Sequence, residues 1–395
     1  MARLFTSGWE LQDVLDGGAA FGSWDAVVGT SIAAVAGTAA RTGERGLRVN
    51  PGAAAANSLE KRFAVDATTN DCYCRFYLYI QTSLSAQSTL LHGLDTLAVS
   101  FAVRLNTDNT LELWTNAAQI GSDSAALSTA TWYRIEVGLV NSTGVVTAYV
   151  DGASFASGTV TAGREDVSFI SLGLHTQNTT GEVYFDDVAV NTETGSVQNS
   201  LPGEGHDIVL MPNGDGDNAM GSRGGTDSGS DWGQVDEKPP NDVTDYYVLD
   251  VNNDIIDLNI EEAGVIPDGA TIKLVQVGVR HMAVSASQLA YEARIKSQAS
   301  GAVLTGTSTT HNDTTWKTNG DTAPLNYTLT SYTDPQAGGP WTKALLGTAQ
   351  IGVRCTDATP DMRISTLWAY VEYMEVSATN LQDPILAGGV VPFPR

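Results

Sequence analysis

The chain has 395 residues and a formal net charge of −24 at pH 7, with 42% hydrophobic and only 17% charged residues. That length holds two domains or one large β domain, and the acidic balance excludes nucleic acid as a partner, because phosphate binding relies on clustered Lys and Arg. There is no apolar run of about 18 residues, so no membrane insertion is expected. Gly, Ser, Thr, Asn and Ala are abundant between short apolar runs, the pattern of β-sandwiches. Met1 to Phe5 lacks the apolar core and cleavage site of a signal peptide. Of the three cysteines, Cys72 and Cys74 lie two apart in an expected strand, ill placed to bridge each other, and Cys355 is alone. Synthesis and folding in a reducing cytoplasm are expected.

The first expected element is an edge strand from Leu4 to about Glu10. A regular series of strands begins at Gly46 to Val49 and continues at Leu59 to Phe63, Cys72 to Ile80, Leu97 to Leu105 and Leu111 to Trp114. Trp132 to Val137, Val145 to Val150, Val167 to Leu174 and Val183 to Val190 complete it. Turn residues recur between them at 106–109, 141–144 and 151–152. Within Trp132 to Leu139, Tyr133, Ile135, Val137 and Leu139 share one face and Arg134 and Glu136 the other, the alternation of a half-buried strand. The closing strand carries Asp186 and Asp187 mid-run. Asp is depleted in strands, and successive side chains point to opposite faces, so at most one of these carboxylates heads for a given site unless the strand bulges.

Residues 193–206 read as a linker. A second β region opens at Asp207 to Leu210 and is interrupted by an acidic Gly/Asp/Ser loop from Pro212 to Gly233. Further strands are expected at Asp245 to Val251, Ile255 to Ile260, Thr271 to Ala283, Leu289 to Ser297, Leu325 to Thr330, Thr348 to Cys355 and Met362 to Val376. A short helix is expected at Thr342 to Leu346. In Thr271 to Arg280 the alternation puts Ile272, Leu274 and Gln276 opposite Lys273, Val275 and Val277. Residues 378–395, with three prolines, read as an extended tail able to add backbone to a neighbour's sheet edge.

The run Trp132…Ile135-Glu136-Val137, Gly144, then Ala148-Tyr149-Val150-Asp151-Gly152 resembles the laminin-G-like branch of the concanavalin A-like jelly rolls. Gly8-Trp9-Glu10 and Phe185-Asp186-Asp187-Val188 fit the family's terminal strands. The second half resembles a β-sandwich region of tailed-bacteriophage virion proteins. It does so on Leu210 to Gly216, Trp232 to Asp242, Ile272 to Val277, Trp341 to Leu346 and Ala349 to Arg354. The expected fold class is therefore all-β with two β-sandwich domains. Residues 1–192 form the jelly roll, 193–206 the linker, 207–377 the second sandwich and 378–395 the tail.

The resemblance implies a structural protein on the virion exterior: a tail fibre or tail-tip component contacting host surface glycan or protein, among other virion proteins. The family expectation is a homo-oligomer, usually a trimer. A capsid decoration or head fibre protein is the alternative, and a carbohydrate-active enzyme or free lectin is the alternative of another class.

Catalysis is not expected. Glucanases of this fold place paired carboxylates on one strand as Glu-x-Asp-x-x-Glu, and Glu60, Glu112, Glu136 and Glu182 each stand alone. Jelly rolls of this type often hold Ca²⁺ where the terminal strands meet, which makes Glu10, Asp186 and Asp187 the candidate ligands. Asn213 to Asn218 lacks the glutamate that would complete a calcium loop, since Gly224 stands there. Trp24, Trp114 and Trp232 are the candidate sugar-stacking residues. The five histidines lie beside no recognisable nucleophile or metal motif.

Overall fold

The computed structural model describes residues 3–11, 24–50, 56–63, 71–96, 98–178, 180–226, 229–285, 289–311, 314–319, 327–357 and 361–375. These residues build an all-β fold of antiparallel sheets arranged as sandwiches. Strands between Arg3 and Asn191 form one pair of sheets, and strands between His206 and Met374 form another.

In the first pair, the larger sheet is centred on Cys72–Thr82, flanked by Trp132–Val140 and Glu182–Asn191. Arg3–Ser7 adds to the far end of Glu182–Asn191. The facing sheet runs from Leu111–Trp114 through Ala98–Leu105, Ser88–Asp95 and Phe169–Leu174 to Asn57–Arg62. Cross-strand register explains which residues meet. Leu113, Val103, Leu91, Leu172 and Leu59 form one row and turn inward, joining Phe76, Leu78, Ile135 and Val137 in the first core. Each such side chain contributes about 1.5–3 kcal/mol by leaving water. The adjacent row, Trp114, Ala102, His92, Ser171 and Glu60, points outward, as a period of two demands.

In the second pair, the long strands Thr271–Ala283 and Met362–Met374 form the spine of one sheet. Ile255–Ile260, Gln350–Cys355 and Leu289–Lys296 form the other. Their inward residues, among them Ile256, Leu258, Val277, Ile351 and Leu367, make the second core.

The expected acidic loop is corrected: Pro212–Ala219 and Ser222–Gly225 are strands, pairing with Ile255–Ile260 and Asp245–Leu249. Aspartates are tolerated there because the side chains alternate outward, and Asp217 pairs with Lys296 at 2.9 Å. The helix is the single turn Lys343–Leu346, capped by the Thr342 hydroxyl accepting from Leu345 N–H at 3.2 Å. The alternation expected from Thr271 is also corrected. A bulge between Ile272 and Leu274 shifts the phase, so Ile272, Val275, Val277 and Val279 reach the core. Of the strand expected at Leu325 to Thr330, only Leu329–Ser331 falls among the described residues. The tail at 378–395 lies outside them. No described helix is long and apolar enough to cross a membrane.

Candidate functional site at the joint of the two sandwiches

The closing strand Glu182–Asn191 does bulge. Its register against Cys72–Thr82 slips between Asp186 and Ala189, and Asp187 adopts φ 46°. A bulge re-aims side chains, and here both carboxylates turn to the same segment, Arg41 and Thr42. Asp186 Oδ2 accepts from Arg41 N–H at 2.6 Å and Thr42 N–H at 3.1 Å. Asp187 Oδ2 accepts from the Arg41 guanidinium at 2.5 Å and the Thr42 hydroxyl at 3.0 Å. The remaining oxygens accept from Asp187 N–H and Asp207 N–H, both at 2.8 Å.

Glu10 completes the cluster. Its two carboxyl oxygens accept from Glu44 N–H at 2.8 Å and Arg45 N–H at 3.2 Å. Immediately before these donors Gly43 sits at φ 66°, so close that a Cβ would lie 2.2 Å from Glu10 Oε1. Only glycine combines that backbone with that approach. Burial pushes the Glu10 carboxyl up to about 8, outweighing the two amides and Lys238 that pull it down. Burial and the neighbouring Asp187 charge likewise hold Asp186 well above the usual carboxylate range. Sequence reasoning thus named three residues that the fold does bring together. Among the described residues no group of three or more His, Cys, Asp or Glu is arranged to hold a metal ion.

Glu10, Arg41, His206 and Lys238 line a cleft of about 690 Å³ between the two sandwiches, with Glu261 and Glu375 on its other walls. Clefts at domain joints with convergent polar groups and perturbed acids are the default place to look for function. His206 Nδ1 lies 2.8 Å from the Thr42 hydroxyl, and its ring stacks on Tyr373 at 5.1 Å. Burial, then the Arg41 charge, lower its pKa, which leaves the imidazole neutral near pH 7. With Glu10 protonated and His206 neutral, the cleft wall presents one proton donor and one proton acceptor near neutral pH.

Behind the cleft lies a buried ion network. Glu372 is paired with Arg3, with Arg75 at 2.9 Å and with Lys273 at 2.8 Å, while Arg75 also reaches Asp207 at 3.4 Å. Arg3 Nε donates to Asn191 Oδ1 at 2.6 Å, and Arg75 Nε donates to the Asp187 carbonyl at 3.0 Å. The linker is drawn in as well: Glu136 accepts from Gly203 N–H at 2.7 Å, and Arg134 pairs with Glu204 at 2.8 Å. Sequence reasoning missed this network, because its members come from separate strands and share no local spacing.

The aromatic candidates separate. Trp24 is corrected: it is 2% exposed, stacks on Trp9 at 5.9 Å and meets Phe5 edge-on, so it is core. Trp232 is half-buried against the second core, with its backbone N–H donating to Asp215 Oδ1 at 3.2 Å. Trp114 lies on the outward row of the smaller sheet, under the Arg104 guanidinium at 3.8 Å. Glu112 ties it down, accepting from Trp114 Nε1 at 2.5 Å and from Gln87 and Asn106. The fold does not bring these three tryptophans together. It does pair histidines that are remote in sequence, His92 with His175 and His281 with His311, at ring separations of 4.4 and 4.6 Å.

No family model matches the chain, and no curated protein matches it. Among solved structures, a Trypanosoma rangeli sialidase in complex with 2,3-difluoro-KDN aligns with 17% identity and a TM-score of 0.31, covering 40% of this chain and 27% of that one. Another sialidase aligns with 10% identity and a TM-score of 0.33, over 48% of this chain and 18% of its own. A conserved carbohydrate esterase from the Shiga toxin-encoding bacteriophage phi24B aligns with 18% identity and a TM-score of 0.33, over 42% of this chain and 88% of its own. The chain thus spans under a third of the length of these two sialidases. The sequence-based expectation is a non-enzymatic protein, whereas these aligned structures are sialidases and a carbohydrate esterase. Alignments at this level assign no activity to the chain.

Proposed function

We propose that the protein is carbohydrate-active, with the cleft at the joint as its working site. The observation that carries this reading is the Glu10 carboxyl, held protonated near neutrality in the wall of a cleft that also presents a neutral imidazole and several carboxylates. The cleft lining sets Glu10, Arg41, His206 and Glu261 among Ile208, Leu210 and Tyr373, convergent polar groups in a partly apolar wall, as small-molecule sites have. Those groups offer donors and acceptors to hydroxyls. In glycosyl transfer a carboxyl with a raised pKa protonates the leaving oxygen while a second carboxylate acts from the opposite side, and Glu10 has the first of those properties.

The test is a glycan array combined with release assays for reducing sugar and for acetate, run on the native protein and on Glu10→Gln. Retention of a glycan with release that Glu10→Gln abolishes is the expected result. Retention without release makes the cleft a binding site only. Neither retention nor release across the array refutes the reading.

The setting we propose is the exterior of a tailed-phage particle, as an oligomer of tail fibre, tail tip or head decoration. Its support is the resemblance carried by Leu210 to Gly216, Trp232 to Asp242, Ile272 to Val277, Trp341 to Leu346 and Ala349 to Arg354. Labelling of intact purified particles tests it, and absence of the protein from those particles overturns it.

A further inference from the structure

We propose that the guanidinium of Arg41 occupies the cation position at the strand seam, so that the first sandwich closes around a cation belonging to its own chain. Oxygens from three separate residues converge on Arg41 and accept hydrogen bonds from its guanidinium. Nη1 of Arg41 donates to Asp187 Oδ2 at 2.5 Å and to the Gly205 carbonyl at 2.9 Å, and Nη2 donates to Glu204 Oε1 at 2.9 Å. The guanidinium carbon lies 3.4 Å from the centroid of the Tyr77 ring, in cation–π contact. Around it, the turn 41–45 delivers its own amides to the other two carboxylates: Arg41 and Thr42 to Asp186, Glu44 and Arg45 to Glu10.

Calcium does not fit this arrangement. It takes about six to eight oxygens at about 2.3–2.6 Å, and every carboxyl oxygen of Glu10, Asp186 and Asp187 already accepts from a protein N–H or O–H. The Arg41 guanidinium already sits against Asp187 and Glu204, where a second cation would meet its charge. A guanidinium is suited to the place because its planar fork serves several oxygens at once and remains charged when buried.

The experiment compares native protein, Arg41→Gln and Arg41→Lys by thermal melting and calorimetry, with Ca²⁺ and with chelator. The native melting temperature is expected to be the same in both conditions, with no heat of Ca²⁺ binding. Arg41→Gln removes the guanidinium from Asp187 Oδ2, Glu204 Oε1 and the Gly205 carbonyl, and is expected to melt several degrees lower, with no recovery on adding Ca²⁺. Arg41→Lys keeps one charge without the fork and is expected to fold and melt between the two. Where Arg41→Gln does not fold, Arg41→Lys decides, and a lower melt than native supports the assignment. A Ca²⁺ response in the native protein, or a native-like melt for either variant, overturns it.

Discussion

Glu372 is the single carboxylate on which the joint converges, and removing it has a calculable cost. It is fully buried and is the shared partner of Arg3, Arg75 and Lys273. In Glu372→Ala these three cations lose their shared counter-charge, and among the described residues only Arg75 of the three keeps a carboxyl partner, Asp207 at 3.4 Å. Breaking a buried pair by deleting one partner costs about 3–5 kcal/mol, because the other charge stays buried and unpaired. An unfolding entropy of about 2.1 cal/mol/K per residue gives roughly 0.8 kcal/mol/K for 395 residues, so the melting temperature should fall by roughly 4–6 °C if the chain unfolds in one transition. Scanning calorimetry reads both the shift and the number of transitions. Glu372→Gln, which keeps the shape and part of the hydrogen bonding, should fall less.

The pH dependence supplies a second signature. Burial opposes ionisation of Glu372, but Arg3, Arg75 and Lys273 outweigh it and hold its carboxyl well below its ordinary value of 4.5. A depressed folded pKa contributes stability that is present above the unfolded value and lost as pH falls through the folded one. Native protein should therefore shed this contribution below pH 4.5, while Glu372→Ala has none to shed and shows a flatter acid limb. A melt for Glu372→Ala within a degree of native, with the same acid limb, would refute the reasoning.

Glu10 carries the opposite sign. Its folded pKa, raised to about 8, means stability fully present below the unfolded value and lost as pH rises through 8. At about 1.36 kcal/mol per unit the span is at most roughly 5 kcal/mol, and Glu10→Gln should flatten the stability profile between pH 4.5 and 8 in denaturant titrations. Gly43→Ala places a side chain in a left-handed conformation and against the Glu10 carboxyl. It should cost about 1–2 kcal/mol from the backbone alone, with chemical denaturation showing a larger loss because the carboxyl must move. Cys72 and Cys74 are free and buried with sulfurs 3.6 Å apart. Aromatic disulfide reagents should label neither until the protein unfolds, and rapid labelling of native protein would contradict their place in the core.

What the sequence made legible was whatever depends on local periodicity. The alternation in Trp132–Val140 placed Ile135, Val137 and Leu139 in the core and turned Arg134 and Glu136 outward, as found. Bulges were not legible, because one extra residue inverts every later assignment on the strand. That inversion explains Thr271–Ala283. At Asp186 and Asp187 the need for a bulge followed from the sequence, but its presence did not. Pro212–Ala219 read as a loop because its glycines and aspartates lack an apolar face, yet Gly216 is needed there, where a Cβ would lie 2.2 Å from the Asp257 carbonyl. Trp24 illustrates the remaining limit: nothing in its neighbours indicated that Trp9, fifteen residues earlier, would stack on it. The partners of Arg3 and Arg75 were invisible for the same reason, since long-range pairing leaves no mark on nearby residues.

The strand Arg3–Ser7 belongs to both halves of the molecule, hydrogen-bonded along Val188 to Asn191 while Arg3 engages Glu372, 369 positions later. Its backbone is held from the far side too, with Gly8 N–H donating to the Tyr370 hydroxyl and Arg3 N–H to that of Tyr332. On a ribosome this segment is made before any of its partners, and contacts of such separation in sequence are the slowest to form. It can pair with Val188 to Asn191 once that strand exists, but Arg3 must wait for Glu372 until Met362–Met374 has been synthesised and has found its own sheet. The first of these strands to be translated is the last to be locked. A fusion placed ahead of Arg3 would act on that closing step, slowing maturation without touching either core.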